Sequence, residues 1–297
     1  MNNDRAAFKQ LVLSGPVTLA PLCMDALTAR LCQSIGFQAG YLSGGALGYS
    51  MAVSEALLSA NEVVAAAASI TRRSGLPLIA DINVGFGDAV HLSRVIGDFE
   101  AAGVAAVEIE DQVAPKRVSH HRGIEHLVSL EEMVGKVETA VSVRTDPDLL
   151  IIARTNAMGN EGFDRAIERG RAYAAAGADL VMVFPTNEQQ WRDTPPALEC
   201  PVAAIEPFSV RSPNEWTDLG YSLIIDVLTG QVAAFDAVRA AYNAAWAQDA
   251  DTQRSRSSLF EVYRQLSGVA GLDDYYAIEA RTTESRSRPN PLLVETR

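Results

Sequence analysis

Lysine is almost missing from this chain: of 297 residues only Lys9, Lys116 and Lys136 carry an ammonium group, against 22 arginines. Cysteine is as sparse. Cys23, Cys32 and Cys200 form no C-x-x-C pair and no metal-ligand spacing, which argues against a disulfide framework and fits buried thiols in a reducing compartment. No apolar run approaches membrane-spanning length, and the opening Met1-Asn2-Asn3-Asp4-Arg5 carries no signal segment. A cytoplasmic protein with no membrane partner is therefore expected. The net charge of −12 argues against nucleic acid as a partner, although local arginines can still bind a small anion. No G-x-G-x-x-G follows the first strand, which weakens a dinucleotide-binding reading.

What is present is a regular alternation. Short β-rich runs over residues 17–20, 39–43, 76–82, 105–110, 149–154, 179–184, 202–205 and 222–225 predict eight strands. Amphipathic, alanine-rich helices are expected between them, among them 24–35, 60–73, 90–102, 130–143, 163–176 and 232–247. Gly36, Gly103, Gly177 and Gly220 stand where a helix ends in the left-handed conformation before a strand begins. Eight such units predict an α/β fold, a (β/α)8 TIM barrel over residues 1–247. An open doubly wound sheet is the alternative if a strand assignment fails. Residues 248–297, rich in Ser and Arg, read as a C-terminal helical extension with a helix over 258–266 and a flexible last dozen residues.

Two of the expected strands end in acids. Ala80-Asp81-Ile82-Asn83-Val84-Gly85 and Ala106-Val107-Glu108-Ile109-Glu110-Asp111 are apolar runs that stop at carboxylates. Buried parallel strands deliver such side chains to one rim of a sheet, and two neighbouring strands doing so form a site for a hard cation. In a barrel that rim is the C-terminal face, which would also receive Ser43, Gly44, Gly45, Arg154 and Glu206.

Taken in order, Asp25-Ala-Leu-Thr-Ala-Arg30, Tyr41-Leu-Ser-Gly-Gly45, Ala80-Asp-Ile-Asn-Val-Gly-Phe-Gly87, Ile109-Glu-Asp-Gln-Val-Ala-Pro-Lys-Arg117 and Ile152-Ala-Arg-Thr-Asn156 resemble the isocitrate lyase and phosphoenolpyruvate mutase superfamily. The resemblance runs from about Leu19 to Gln265 and is nearest the methylisocitrate lyase and dimethylmalate lyase branch. It implies a (β/α)8 barrel, Mg²⁺ with Mn²⁺ as an alternative, a pyruvate-like enolate in the chemistry, and a homotetramer exchanging a C-terminal helix. Carried over, Asp81 is the direct metal ligand, while Asn83, Glu110 and Glu55 hold its waters. Tyr41, Ser43, Gly44, Gly45, Asp81 and Arg154 then bind the small carboxylic-acid substrate, Arg154 and Lys116 are catalytic candidates, and Lys116 and Arg117 belong to a lid. Glu108, on the same strand face as Glu110, reads as ion-paired structure.

The chain also departs from that pattern. Lyases of the family carry Lys-Arg-Cys-Gly-His in the lid, with the cysteine as acid–base; here the run is Lys116-Arg117-Val118-Ser119-His120-His121. Valine transfers no proton, so Ser119, His120 or His121 is the candidate substitute. Asn83 and Glu55 replace family aspartates, and Glu206 stands on the seventh strand where lyases place Asn and Thr, as a candidate catalytic acid–base or a charge that repels a substrate carboxylate. The preferred reading is a Mg²⁺-dependent carbon–carbon lyase acting on a small 2-hydroxy or 2-oxo dicarboxylate of the substituted-malate type. Oxaloacetate decarboxylation is the near alternative. A phosphonate-processing mutase or hydrolase, and a non-catalytic dicarboxylate-binding barrel, are the further ones.

Overall fold

The computed structural model of the chain describes residues 5–123, 125–248 and 254–283. All eight expected strands form: β1 Thr18–Pro21, β2 Gly40–Leu42, β3 Leu78–Asp81, β4 Ala106–Glu110, β5 Leu150–Arg154, β6 Leu180–Met182, β7 Val202–Ile205 and β8 Leu223–Asp226. Every pairing is parallel, in the order β1-β8-β7-β6-β5-β4-β3-β2. A lone parallel bridge between Leu22 and Tyr41 brings β1 back to β2. The sheet is thus a TIM barrel, and the open alternative is excluded.

Residue alternation sorts each strand into an outer and an inner face. On β4, Val107 and Ile109 pack outward among helix residues such as Leu92, Val95 and Val137. Inward residues of several strands, among them Tyr41, Ile79, Leu150, Ile152, Met182 and Ile225, form a second core inside the barrel. Phe8 and Val12, from the helix Arg5–Ser14, belong to that inner core and close the floor. Arg5 fixes this plug by donating to the Val104 and Glu100 carbonyls and to Asp146 Oδ2. Only the opposite face is left to hold a site.

The helix ends follow the glycine signals. Gly36 and Gly220 cap their helices at φ of 112° and 91°, a region in which a Cβ is strained. Contacts divide the chain between Ala237 and Val238, inside the helix Thr229–Trp246 and before the expected boundary at 247/248. The second unit carries helices Arg256–Ala270 and Leu272–Thr282, so the extension holds a further helix beyond the one expected over 258–266. The expected flexible last dozen residues lie outside the described ones. Among described residues, no helix is long and apolar enough to cross a membrane.

Candidate active site

Acids and bases meet where β2 to β5 reach the open face. By register Asp81 stands beside Glu108, and Glu110 beside Arg154. All three acids are buried, with Glu108 and Glu110 at 1% exposure, a position carboxylates hold only when paired. Glu110 Oε2 accepts from Gln112 Nε2 and Asn156 Nδ2, each at 3.1 Å, and faces Arg154 Nη2 at 3.5 Å. Glu108 accepts from the Tyr41 hydroxyl at 2.5 Å and from Arg154 Nη1 at 3.1 Å, so it is ion-paired as expected. Arg154 lies over the Phe184 ring, 4.7 Å from its centre.

The lid reaches into this group. Lys116 Nζ lies 2.5 Å from both Glu55 Oε1 and Glu110 Oε1, and His120 Nε2 lies 2.7 Å from Glu55 Oε1. Burial favours the neutral form of Glu110, yet Arg154 and Lys116 outweigh it and hold the acid below the usual carboxylate range. Glu55 is lowered in the same way, against burial, by its bonds to His120 and Lys116. Among the described residues Asp81 has no ion pair, and the charge of Lys116 offsets its surroundings only in part. Burial first, then the charges of Glu108 and Glu55, push it up to about 7.

His120 has an acceptor at each ring nitrogen, Glu55 Oε1 at Nε2 and the Arg117 carbonyl 2.6 Å from Nδ1. Its pKa is raised, mainly through Glu55. A histidine so raised contributes stability in full below about pH 6.5 and loses it as pH rises through the folded value. Unfolding curves of the wild type and His120→Gln should therefore differ at about pH 6 and converge by about pH 9. Equal gaps at both values would show that Glu55 does not hold the proton there.

The remaining expected residues divide. Gly44 and Gly45 are needed for closeness: a Cβ on Gly44 would sit 3.0 Å from Asp81 Oδ2, and one on Gly45 would sit 3.1 Å from Glu55 Oε2. The Gly44 N–H already donates to Asp81 Oδ2, and Ser43 Oγ accepts from Ala46 N as a helix cap, so both have uses besides substrate. Asn83 sits at φ 58°, accepts from Val84 N through its side-chain oxygen, and points its amide nitrogen at the Glu55 carbonyl. An aspartate could not make that donation. Val118 is half-exposed, and no hydrogen bond among the described residues ties the Ser119 side chain to the acids. The Glu206 carboxyl likewise has no hydrogen bond or ion pair among them, and burial raises its pKa. The side chain of His121 lies outside the described residues.

Two supporting groups escape sequence reasoning. Asp111, fully buried, accepts from Thr155 Oγ1 at 2.6 Å, Tyr173 OH at 2.8 Å and Asn156 N at 3.2 Å, and so anchors the turn that carries Arg154. Lys136, 1% exposed, donates to the Val84 carbonyl at 2.6 Å and steadies the loop holding Asn83. Its signal was present: a scarce lysine placed among Met133, Val137 and Ala140 on an apolar helix face.

Chemically, the donor set suits a hard divalent cation. Four buried carboxylates (Glu55, Asp81, Glu108 and Glu110) face two fixed cations, Lys116 and Arg154. A divalent ion would balance them. Glu110 Oε1 is buried with an ion pair but no aligned hydrogen bond, which leaves a lone pair for a donor. Among the described residues no three His, Cys, Asp or Glu side chains form a ready-made ligand cluster, so attachment through few direct ligands is what this geometry allows.

The chain is similar to several known proteins. The family model for phosphoenolpyruvate phosphomutase matches residues 8–246. A 2,3-dimethylmalate lyase of Eubacterium barkeri is 41% identical over 197 residues, covering 64% of this chain and 66% of that enzyme. The 2-methylisocitrate lyase of Escherichia coli K12 is 35% identical over 269 residues, covering 86% of this chain and 90% of that one. Among solved structures, a phosphonopyruvate hydrolase in complex with oxalate and Mg²⁺ superposes with a TM-score of 0.82 at 27% identity, covering 96% of this chain and 100% of that one. With its barrel, its acids at the open face and these matches, the chain belongs to the phosphoenolpyruvate mutase and isocitrate lyase superfamily.

Proposed function

We propose that this chain is a Mg²⁺-dependent carbon–carbon lyase that cleaves a small 2-hydroxy or 2-oxo dicarboxylate of the substituted-malate type. The observation that carries the reading is the meeting of Asp81, Glu55 and Glu110 with Lys116 and Arg154 at the open end of the barrel. Asp81 would hold the cation directly, with Glu55, Glu110 and Asn83 in support. When bound, the cation supplies Lewis-acid stabilisation to oxygens of the substrate. Arg154, Ser43 and Gly45 orient the carboxylate beside the carbonyl or hydroxyl carbon, and Tyr41 and Glu108 keep Arg154 in place.

In the cleavage, a base takes the proton of the 2-hydroxyl and the C2–C3 bond breaks. One fragment becomes a 2-oxo acid, while the electron pair goes to C3 of the other and collects a proton there. His120 is the acid we assign to that last step. Its ring lies in the lid against Glu55 and the Arg117 carbonyl, whereas Val118 is half-exposed and has no proton to give. Oxaloacetate decarboxylation is the second reading, favoured by Val118, because loss of CO₂ needs no acid to begin.

Following the carbon separates the two. Incubation with Mg²⁺ and a panel of methylated malates and oxaloacetate should yield two organic acids, one of them a 2-oxo acid. CO₂ as the only small fragment would favour decarboxylation, and no turnover of any acid would sink both.

A homotetramer with exchanged C-terminal helices is proposed as well. The helices Thr229–Trp246, Arg256–Ala270 and Leu272–Thr282 bury no residue within the chain. They leave Phe235, Tyr242, Trp246 and Tyr263 more than half exposed, which is unusual for a monomer. Light scattering should give a mass near four times 31.8 kDa, and a monomer would refute it.

A further inference from the structure

We propose that Glu108 limits the number of carboxylates on the substrate: its charge engages Arg154, so the site takes dicarboxylates and rejects tricarboxylates. The proposal rests on the lyase reading and names which acids that lyase accepts.

Glu108 lies one pleat deeper than Glu110 on the inner face of β4 and is 1% exposed. One of its oxygens takes the Tyr41 hydroxyl and the other takes Arg154 Nη1. The rest of the guanidinium is occupied too. Nη2 faces Glu110 Oε2 at 3.5 Å, Nε donates to Asn156 Oδ1 at 3.3 Å, and one flat face lies on Phe184. Arg154 can still orient a carboxylate through its remaining N–H groups, but its charge is already shared by two acids.

Lys116 is likewise divided between Glu55 and Glu110. Other cations are engaged elsewhere: Arg169 with Glu161 and Asp111, and Arg211 with Glu188 over the rings of Trp191 and Trp216. Arg117 is exposed on the lid.

With a divalent cation added, the four acids and the two fixed cations balance. Two substrate carboxylates then meet the cation, the Arg154 edge and the His120 ring. A third meets buried carboxylates and no unengaged cation within this network. One unit charge at close range inside a protein changes an affinity by tenfold or more. Removing the charge of Glu108 while keeping its shape should release that much of Arg154 for an additional anion.

The test is calorimetric titration of the wild type and Glu108→Gln, both with Mg²⁺, against oxalate, malate and isocitrate. The wild type should bind oxalate and malate and bind isocitrate at least about tenfold more weakly than malate. Glu108→Gln should shift the isocitrate-to-malate ratio toward isocitrate by about tenfold or more. A purely structural Glu108 would weaken all three ligands together and leave the ratio unmoved, which overturns the proposal. Wild-type binding of isocitrate as tight as malate overturns it without any variant, should Glu108→Gln fail to fold. Absence of oxalate binding to the wild type would overturn the lyase reading itself, and this proposal with it. Oxalate binding with an unmoved ratio removes only the role of Glu108.

Discussion

Replacing Asp81 by alanine is expected to lower kcat/KM by about a thousandfold or more, equivalent to roughly 4 kcal/mol of lost transition-state stabilisation, while the fold persists. Two effects on stability oppose each other. The backbone N–H groups of Gly44 and Asn83 lose their acceptor, at a cost of about 1–3 kcal/mol each. Against that, a buried carboxylate pushed up to about 7 by burial, Glu108 and Glu55 is relieved of its charge. Such a group destabilises the metal-free chain progressively as pH rises from its unfolded value near 4 to about 7, and by a constant amount above that. The melting temperature of the variant at pH 8 should thus lie within a few degrees of the wild type. Steady-state kinetics and thermal melts decide the matter together. Activity within tenfold of wild type would remove Asp81 from the site, and a collapsed melting temperature would make it structural. The same raised pKa predicts that Mg²⁺-dependent oxalate binding weakens below about pH 7, because the carboxyl must lose its proton before a cation is held.

The Lys116→Met variant should show the largest loss of stability of any single change at the site. The ammonium lies 2.5 Å from two buried carboxylates, and removing it takes the closest cation from both, leaving Glu55 to His120 and Glu110 to Arg154 at 3.5 Å. Breaking a buried pair costs about 3–5 kcal/mol, whereas an exposed pair is worth about 0–1. In a chain of this size that is a drop on the order of 10 °C. Because Glu55 and Glu110 have lowered pKa values, the pairing stabilises fully above the ordinary carboxylate range and is lost as pH falls below it. The gap between wild type and variant should hold from pH 7 to about pH 5 and narrow only as pH falls below about 4. Added Mg²⁺ should protect the variant more than the wild type, since it supplies the missing positive charge. Scanning calorimetry across pH, with and without Mg²⁺, reads all three effects. A loss under about 1 kcal/mol would mean that water already solvates these acids.

Much of this could be read from residue order, because strand period and strand-end acids are local signals. Val107 and Ile109 outward with Glu108 and Glu110 inward is a period of two that needs no structure to see. What escaped depends on partners far apart in the chain. That Glu108 joins Tyr41 to Arg154 follows from barrel closure across β2, β4 and β5, and nothing near residue 108 announces it. Asn83 reads as a weakened aspartate until its positive φ and its bond toward the Glu55 carbonyl show an amide suited to a turn. The helix Leu272–Thr282 was hidden because its apolar side chains bury nothing within the chain, so its pattern resembles a polar tail. Lys116 reads as a lid residue, and only the folded loop reveals it at 8% exposure between two acids.

The plug made by Phe8 and Val12 has a consequence for traffic. A barrel filled by its own core and closed below by that plug has a single door, and whatever binds deepest leaves last. In a cleavage at the open face, a fragment held against Arg154 would leave after the fragment beneath the lid. Product release would then form a queue whose order is set by the closed interior, although no residue of the floor touches the reacting atoms.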